Sequence, residues 1–250
     1  MNQTLENQYL ICIDDTDDIG TKGTGEIAGE IGELLVARFQ GKAGLVSRHQ
    51  LYVHPDIPYT SHNSAMCFAY SGPASVDDIQ RLAAEHLISV SAPAADPGLG
   101  ILNLANFRGG NDLIAFGRQA KQEVKTKEQA YVLAQALGIS LTEHGGTGQG
   151  VIGALAGLGL RLEGRDGRVK GQIKLGQTEE ASVTLTVEEI LSQSGLELVV
   201  NTSGESLATT ESVQLCGKVK AVVHQGKFAL LVAQDSGAWR NASRAQLKAY

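Results

Sequence analysis

The sequence predicts a mixed α/β fold, an α+β arrangement built on a mixed sheet. Three observations point there. Short apolar runs with β-branched and aromatic character, such as Tyr9 to Ile13 (YLICI), have the length and composition of buried strands. Longer stretches between them carry apolar residues at helical spacing, as at Ile27, Ile31, Leu34, Leu35 and Phe39. From Thr184 onward the texture changes to β-like runs around a turn at Gln225-Gly226-Lys227.

The first strand runs directly into Asp14, Asp15, Asp17 and Asp18. Carboxylates packed this closely repel one another, so they need either full solvation or a cation. Behind them comes a Gly/Thr run, with Thr24-Gly25-Glu26 resembling an N-cap and the first helix following. Strand, acidic turn, glycine loop and helix in this order place hard oxygen ligands opposite a helix N-terminus. Those are the two halves of a site for Mg2+ and phosphate.

Further along, Gly44 to Val53 and Ala65 to Ser71 read as strands, and Ser75 to Leu87 as a helix turning Ile79, Leu82, Ala83 and Leu87 inward. The intervening polar loop, His54 to Ser64, is stiffened by Pro55 and Pro58, as ligand-contacting loops are. Breakers dominate Val90 to Asn111. Helices are predicted over Asp112 to Val124 and Lys127 to Leu137, with Thr126 in capping position, and a strand over Ile139 to Thr142.

A second glycine loop follows at Glu143 to Leu162. Gly148, Gly150 and Gly153 satisfy G-x-G-x-x-G, but a dinucleotide fold wants an acidic residue about 20 positions on. Glu163 arrives only ten after Gly153, and no Walker sequence is present. NAD binding is thereby disfavoured while phosphate cradling survives, because glycines let backbone N–H groups approach an anion. A short helix beginning near Thr184 or Thr186, a strand at Leu196 to Asn201, and β runs at Val213 to His224 and Phe228 to Gln234 complete the chain.

Composition narrows the function. A net charge of −6 argues against a nucleic-acid binder that works through a broad basic face. One local exception is Arg161 to Lys174, where five basic residues face Glu163 and Asp166 for a net +3. Cys12, Cys67 and Cys216 form no CxxC pair, so neither a disulfide framework nor a zinc ribbon is expected. The polar N-terminus and short apolar runs predict a cytoplasmic protein without a membrane segment.

The motifs "IDDTDD", "HPDIPYTSHNSAM", "DPG" and "GTGQGVIGALAGLG" together resemble the catalytic region of the archaeal isoleucine-tRNA agmatinylcytidine synthetase family. In that family an IDDTD strand end, an NPxIPYKTRGN segment, an NPG turn and a GRGLIGALA helix start recur in the same order. The likeness covers most of residues 9–165, with a fainter echo through Leu198 to Val223. It implies a kinase-like catalytic domain with a ferredoxin-like portion, using ATP and Mg2+ to phosphorylate a cytidine oxygen that agmatine then displaces. Asp14, Asp15 and Asp17 match the family's metal-binding turn, and Thr24 its loop threonine, which is phosphorylated there. Asn63 matches the Asn of TRGN, although this chain is one residue shorter and has His62 where the family has Arg-Gly. The family's OB-fold and zinc ribbon, which grip tRNA, have no counterpart in the sequence.

The expected architecture is a catalytic core over residues 1–165 with inserted ferredoxin-like elements, completed by a β-rich layer over 166–250. The expected reaction is ATP- and Mg2+-dependent phosphoryl transfer or ligation, on a small-molecule acceptor or with a partner supplying the tRNA grip. The alternative is a noncatalytic nucleotide-binding protein of the same fold. Asp14, Asp15 and Asp17 are the candidate metal ligands. Lys22, Gly23, Asn63, Gly146, Thr147, Gly148 and Gly150 are the candidate nucleotide contacts. Asp15 and Thr24 are the candidate catalytic groups, with His62 or His144 as proton carrier.

Overall fold

Strand β1 (Asn7–Asp14) is the spine on which the first part of the chain is built. A computed structural model describes residues 7–57, 63–105 and 107–250, and the chain forms two compact units, Met1–Leu162 and Glu163–Tyr250. In the first unit β1 lies between two antiparallel neighbours, β4 (Ser64–Gly72) and β5 (Gly98–Asn103). β4 also pairs with β2 (Lys42–Ala43) and β3 (Ser47–Gln50), and β5 with β6 (Ser140–Glu143).

A strand with neighbours on both edges and layers on both faces is apolar throughout, and its alternate residues feed two cores. Tyr9, Ile11 and Ile13 pack under α1 (Thr24–Phe39) and α2 (Val76–Val90). Leu10 and Cys12 point the other way, against α3 (Gly110–Gln119), α4 (Lys127–Leu137) and α5 (Gly150–Glu163). Burying one such side chain contributes roughly 1.5–3 kcal/mol, and the twelve largest fully buried side chains all lie in the core under α1 and α2.

The helix starts follow capping chemistry. Ser75 with Asp78 and Thr126 with Gln129 each form a reciprocal capping box. α1 departs from expectation: Gly23 is its N-cap, and Thr24 lies inside the first turn with its hydroxyl turned to Asp17. α5 is buried on nearly every side, and its interspersed glycines let neighbouring elements approach at backbone distance. A methyl group at Gly159 would lie 2.2 Å from the Leu113 carbonyl oxygen of α3.

In the second unit β11 (Ala221–His224) and β12 (Lys227–Asp235) form the predicted hairpin, turned by Gln225 and Gly226 at φ of 50° and 80°. β11 also pairs with β7 (Arg168–Val169), and β12 with β13 (Ala238–Asn241). β8 (Val183–Thr186) leads into α6 (Val187–Ser194), capped by Thr186 with Glu189. β9 (Leu198–Asn201) joins β12, and β10 (Ser212–Leu215) joins β13, both in parallel, which makes the pairing mixed. The run expected as one strand over Val213 to His224 is thus two, interrupted around Gly217 at φ 57°. A 3-10 turn (Gln246–Ala249) ends the unit, packing Leu247 against Val222 and Leu231.

Among the described residues no helix is long and apolar enough to cross a membrane. Substituting Gly159→Ala should destabilise the first unit by about 2 kcal/mol or more, since the colliding atoms are backbone and cannot swing aside. Urea denaturation followed by circular dichroism checks this, and an unchanged midpoint would contradict it.

Candidate active site at the acidic turn

The end of β1, the turn before β5 and the start of α5 converge at backbone distance. A methyl group at Gly98 would lie 2.1 Å from the Gly150 carbonyl carbon, and one at Gly153 would lie 1.6 Å from Asp14 Oδ2. The Gly150 N–H donates to the Asp96 carbonyl at 3.0 Å, and the His144 N–H to the Pro97 carbonyl at 2.8 Å. Two segments more than a hundred residues apart in sequence, the acidic turn and the second glycine loop, are therefore neighbours in the fold.

Asp14 is buried against α5, while Asp15 turns the chain out of the strand at φ 53°, a left-handed conformation that Asp tolerates better than most residues. Burial, with repulsion from Asp15 and Asp17 added, pushes the Asp14 carboxyl up to about 8. Burial and then the Asp96 carboxylate push Asp15 up to about 6, against a hydrogen bond from the Asp96 backbone N–H. Thr16, between Asp15 and Asp17, is fully buried, and its hydroxyl has no partner among the described residues. Asp17 accepts from the Thr24 hydroxyl at 2.9 Å, tying the turn to the start of α1.

The glycine loop is already internally bonded. Thr147 donates its N–H to Asp96 Oδ1 at 2.7 Å and its hydroxyl to Asp96 Oδ2. Lys127 from α4 reaches Glu143 at 2.5 Å and the Thr147 carbonyl at 2.6 Å. Gly146 and Gly148, at φ of 53° and 73°, fold so tightly that methyl groups there would strike Asp96 and Glu143. Asp96, Lys127 and Glu143 are thus members of this region that the sequence reading left out of the candidate site. Asp96 stood in the quoted "DPG", but nothing in the sequence links that turn to Thr147.

The other candidates fall as follows. Lys22 turns to Glu30 at 2.5 Å, and Glu30 in turn meets His86 at 2.8 Å, so the lysine is engaged along α1. Gly23 lies beside Asp17, with the nearest carboxylate oxygen 3.8 Å from where a methyl group would stand. Asn63 donates to the Tyr52 carbonyl at 2.7 Å and accepts from Leu51 and Gln50, bonds that tie its loop to the end of β3. His144 is half-buried, paired with Thr142 at 2.8 Å, and burial holds its imidazole below the usual value, favouring the neutral form. His62 lies outside the described residues. A separate groove of about 700 Å³ between α1 and α2, lined by Arg38, Arg81 and His86 among others, includes none of the acidic-turn or glycine-loop residues.

Carboxylate oxygens are the donor type Mg2+ takes, and a cation would relieve the repulsion that raises Asp14 and Asp15. The donor chemistry fits, although among the described residues no three acidic, His or Cys side chains converge closely enough to hold a metal ion.

Over about three fifths of its length the chain shares its fold with a tRNA-modifying enzyme whose structure holds tRNA and ATP. That enzyme is TiaS, an agmatidine synthetase acting on an isoleucine tRNA. Its complex with that tRNA and ATP is 25% identical over 61% of this chain and 36% of TiaS, with a TM-score of 0.54. The complex with the tRNA, AMPCPP and agmatine matches at 24% identity over 60% of this chain and 35% of TiaS, with a TM-score of 0.52. A structure described as a tRNA fluorescent labeling enzyme matches at 25% identity over 61% of this chain and 36% of that one, with a TM-score of 0.52. The chain spans about a third of the length of these proteins. No protein-family model matches it, and no curated protein does either. The likeness read from the sequence motifs is thus matched in three dimensions.

Because Asp14 binds its proton more tightly folded than unfolded, the folded state loses stability as pH rises from about 4 towards 8. The change is on the order of a few kcal/mol. Asp14→Asn should flatten that decline, leaving the smaller part from Asp15 between about 4 and 6. Chemical denaturation at a series of pH values checks this, and an unaltered slope in the variant would remove Asp14 from the explanation.

Proposed function

We propose that the first unit binds ATP with Mg2+ between the acidic turn and the loop at residues 145–150 and transfers its γ-phosphoryl group to an oxygen of a second substrate. The contact of Asp14 with Gly153 carries this reading, because it sets a carboxylate-rich strand end against a glycine loop and a helix start. The bond from the γ-phosphorus to the β–γ bridging oxygen breaks, ADP leaves, and a new P–O bond forms on the acceptor. An amine attacking the activated carbon then forms a C–N bond as inorganic phosphate departs. Such chemistry is mostly positioning and charge stabilisation, which suits a site poor in nucleophiles.

In this reading the carboxylates of Asp15, Asp14 and Asp17, which do not converge on one point in this structure, would have to draw together to hold Mg2+, which supplies charge neutralisation of the triphosphate when bound. In the same reading Gly146 to Gly150 would approach the phosphates, and neutral His144 would accept a proton. Thr24 orients Asp17. The acceptor is a small molecule, or a tRNA presented by a partner, and the protein works in the cytoplasm. The solved TiaS complexes with ATP, AMPCPP and agmatine support the class of ligand.

A second reading, a nucleotide-binding protein without turnover, is favoured by one observation: the Thr147 donors are already held by Asp96. Titration calorimetry with ATP and Mg2+, followed by a search for ADP or AMP across amine and nucleoside acceptors, separates the two. Binding without product in every case would select the second.

Asp15→Asn should weaken Mg2+-dependent ATP binding at least tenfold with a thermal midpoint equal to or above that of the parent, since it relieves carboxylate repulsion. Marked destabilisation with ATP affinity intact would assign Asp15 to the scaffold instead. RNA gives a further expectation. The ten acidic and ten basic side chains of Glu163–Tyr250 balance, leaving the net −6 in the first unit. The chain alone should therefore fail to retard tRNA in a gel at about 0.15 M salt, and a retarded complex with a steep salt dependence would overturn the need for a partner.

A further inference from the structure

Asp96 sits in the turn before β5 and touches both halves of the region described above. Its two carboxylate oxygens accept from the N–H and the hydroxyl of Thr147, its carbonyl accepts from the Gly150 N–H, and its own N–H donates to the Asp15 carboxylate. A methyl group at Gly146 would lie 1.7 Å from Asp96 Oδ1, so this carboxylate fills the concavity that the glycines create. An oxyanion resting on one backbone N–H and one hydroxyl of a glycine-flanked threonine has the arrangement a phosphate takes at such a loop. Two anions cannot share those donors.

We propose that Asp96 is a specificity-determining residue of the nucleotide site: a built-in anion that occupies the Thr147 donors and must swing away before a phosphate group can take them. This rests on the reading of the first unit as an ATP-binding unit. A separate contact makes the exchange workable. Lys127 holds the Thr147 carbonyl and Glu143, so the loop stays in place from its other side when the carboxylate leaves. A phosphate arriving without a cation meets the displaced Asp96 charge as well as Asp15, and one such like charge a few ångströms away weakens binding by about tenfold or more. The residue therefore biases the loop against free phosphates and towards those whose charge is offset.

The test uses the full chain and its Asp96→Asn and Thr147→Val variants, titrated with inorganic pyrophosphate in EDTA. Asn keeps an acceptor for the Thr147 N–H while removing the charge, so Asp96→Asn should bind pyrophosphate about tenfold tighter than the parent. In a Thr147→Val background the same change should give a markedly smaller gain. Equal or weaker binding by Asp96→Asn overturns the proposal. A readout that needs no variant accompanies it: saturating pyrophosphate should shift the NMR resonances of the Thr147 amide and the Asp96 carboxyl together, and shifts confined to other residues overturn it. ATP with Mg2+, titrated into the parent in parallel, separates the two levels of inference. If it binds while Asp96→Asn brings no gain, only the role of Asp96 fails. If neither ATP nor pyrophosphate binds any of the proteins, the ATP-binding reading fails with it.

Discussion

The burial of the Asp14 carboxyl against Gly153 is the contact on which the proposed chemistry of the first unit depends. It requires a strand end, a tight turn and a helix start to meet at backbone distance, and each does so through a missing side chain. Gly98 lets β5 approach the Gly150 peptide, Gly153 leaves room for the carboxylate, and Gly157 further along α5 leaves room for Cys12. Any larger residue at these positions would push α5 off the sheet. The cohesion of the core and the geometry of the acidic turn are therefore set by the same short run of glycines.

The electrostatic consequence is a region tuned away from ordinary carboxylate behaviour. Asp14 is raised first by burial and then by Asp15 and Asp17, and Asp15 first by burial and then by Asp96 and Asp17. A fold that bears such a cost at one strand end, directly after the apolar run Tyr9 to Ile13, concentrates it where a ligand can relieve it. The surrounding bonds hold the arrangement in place: Thr24 on Asp17, Thr147 on Asp96, and Lys127 across Glu143 and the Thr147 carbonyl.

Much of this was legible in the sequence because local chemistry decides it. The apolar run ending in aspartates, the caps at Thr126 and Thr186, and the Gln225-Gly226 turn each follow from residues close in sequence. What was not legible depends on distant partners. Thr24 looked like an N-cap because Asp17, seven residues earlier, gives no sign that it will claim the hydroxyl. Lys22 looked free for a phosphate, but it meets Glu30 along α1, and Glu30 is in turn met by His86 once α1 and α2 pack together. Asp96 and Thr147 lie 51 residues apart, and only the pairing of β5 with β1 and β6 brings their loops together. The short strand β13 was missed because four residues with only Ala238 and Trp239 apolar carry no periodic signal.

The central claim, that the acidic turn and the glycine loop form one phosphate site, is tested most directly by a crystal structure of the chain grown with Mg2+ and a nonhydrolysable ATP analogue. Triphosphate density between Asp15 and Thr147 is the expected result. Well-ordered triphosphate held elsewhere, for instance by Arg38 and Arg81 in the groove between α1 and α2, would contradict it.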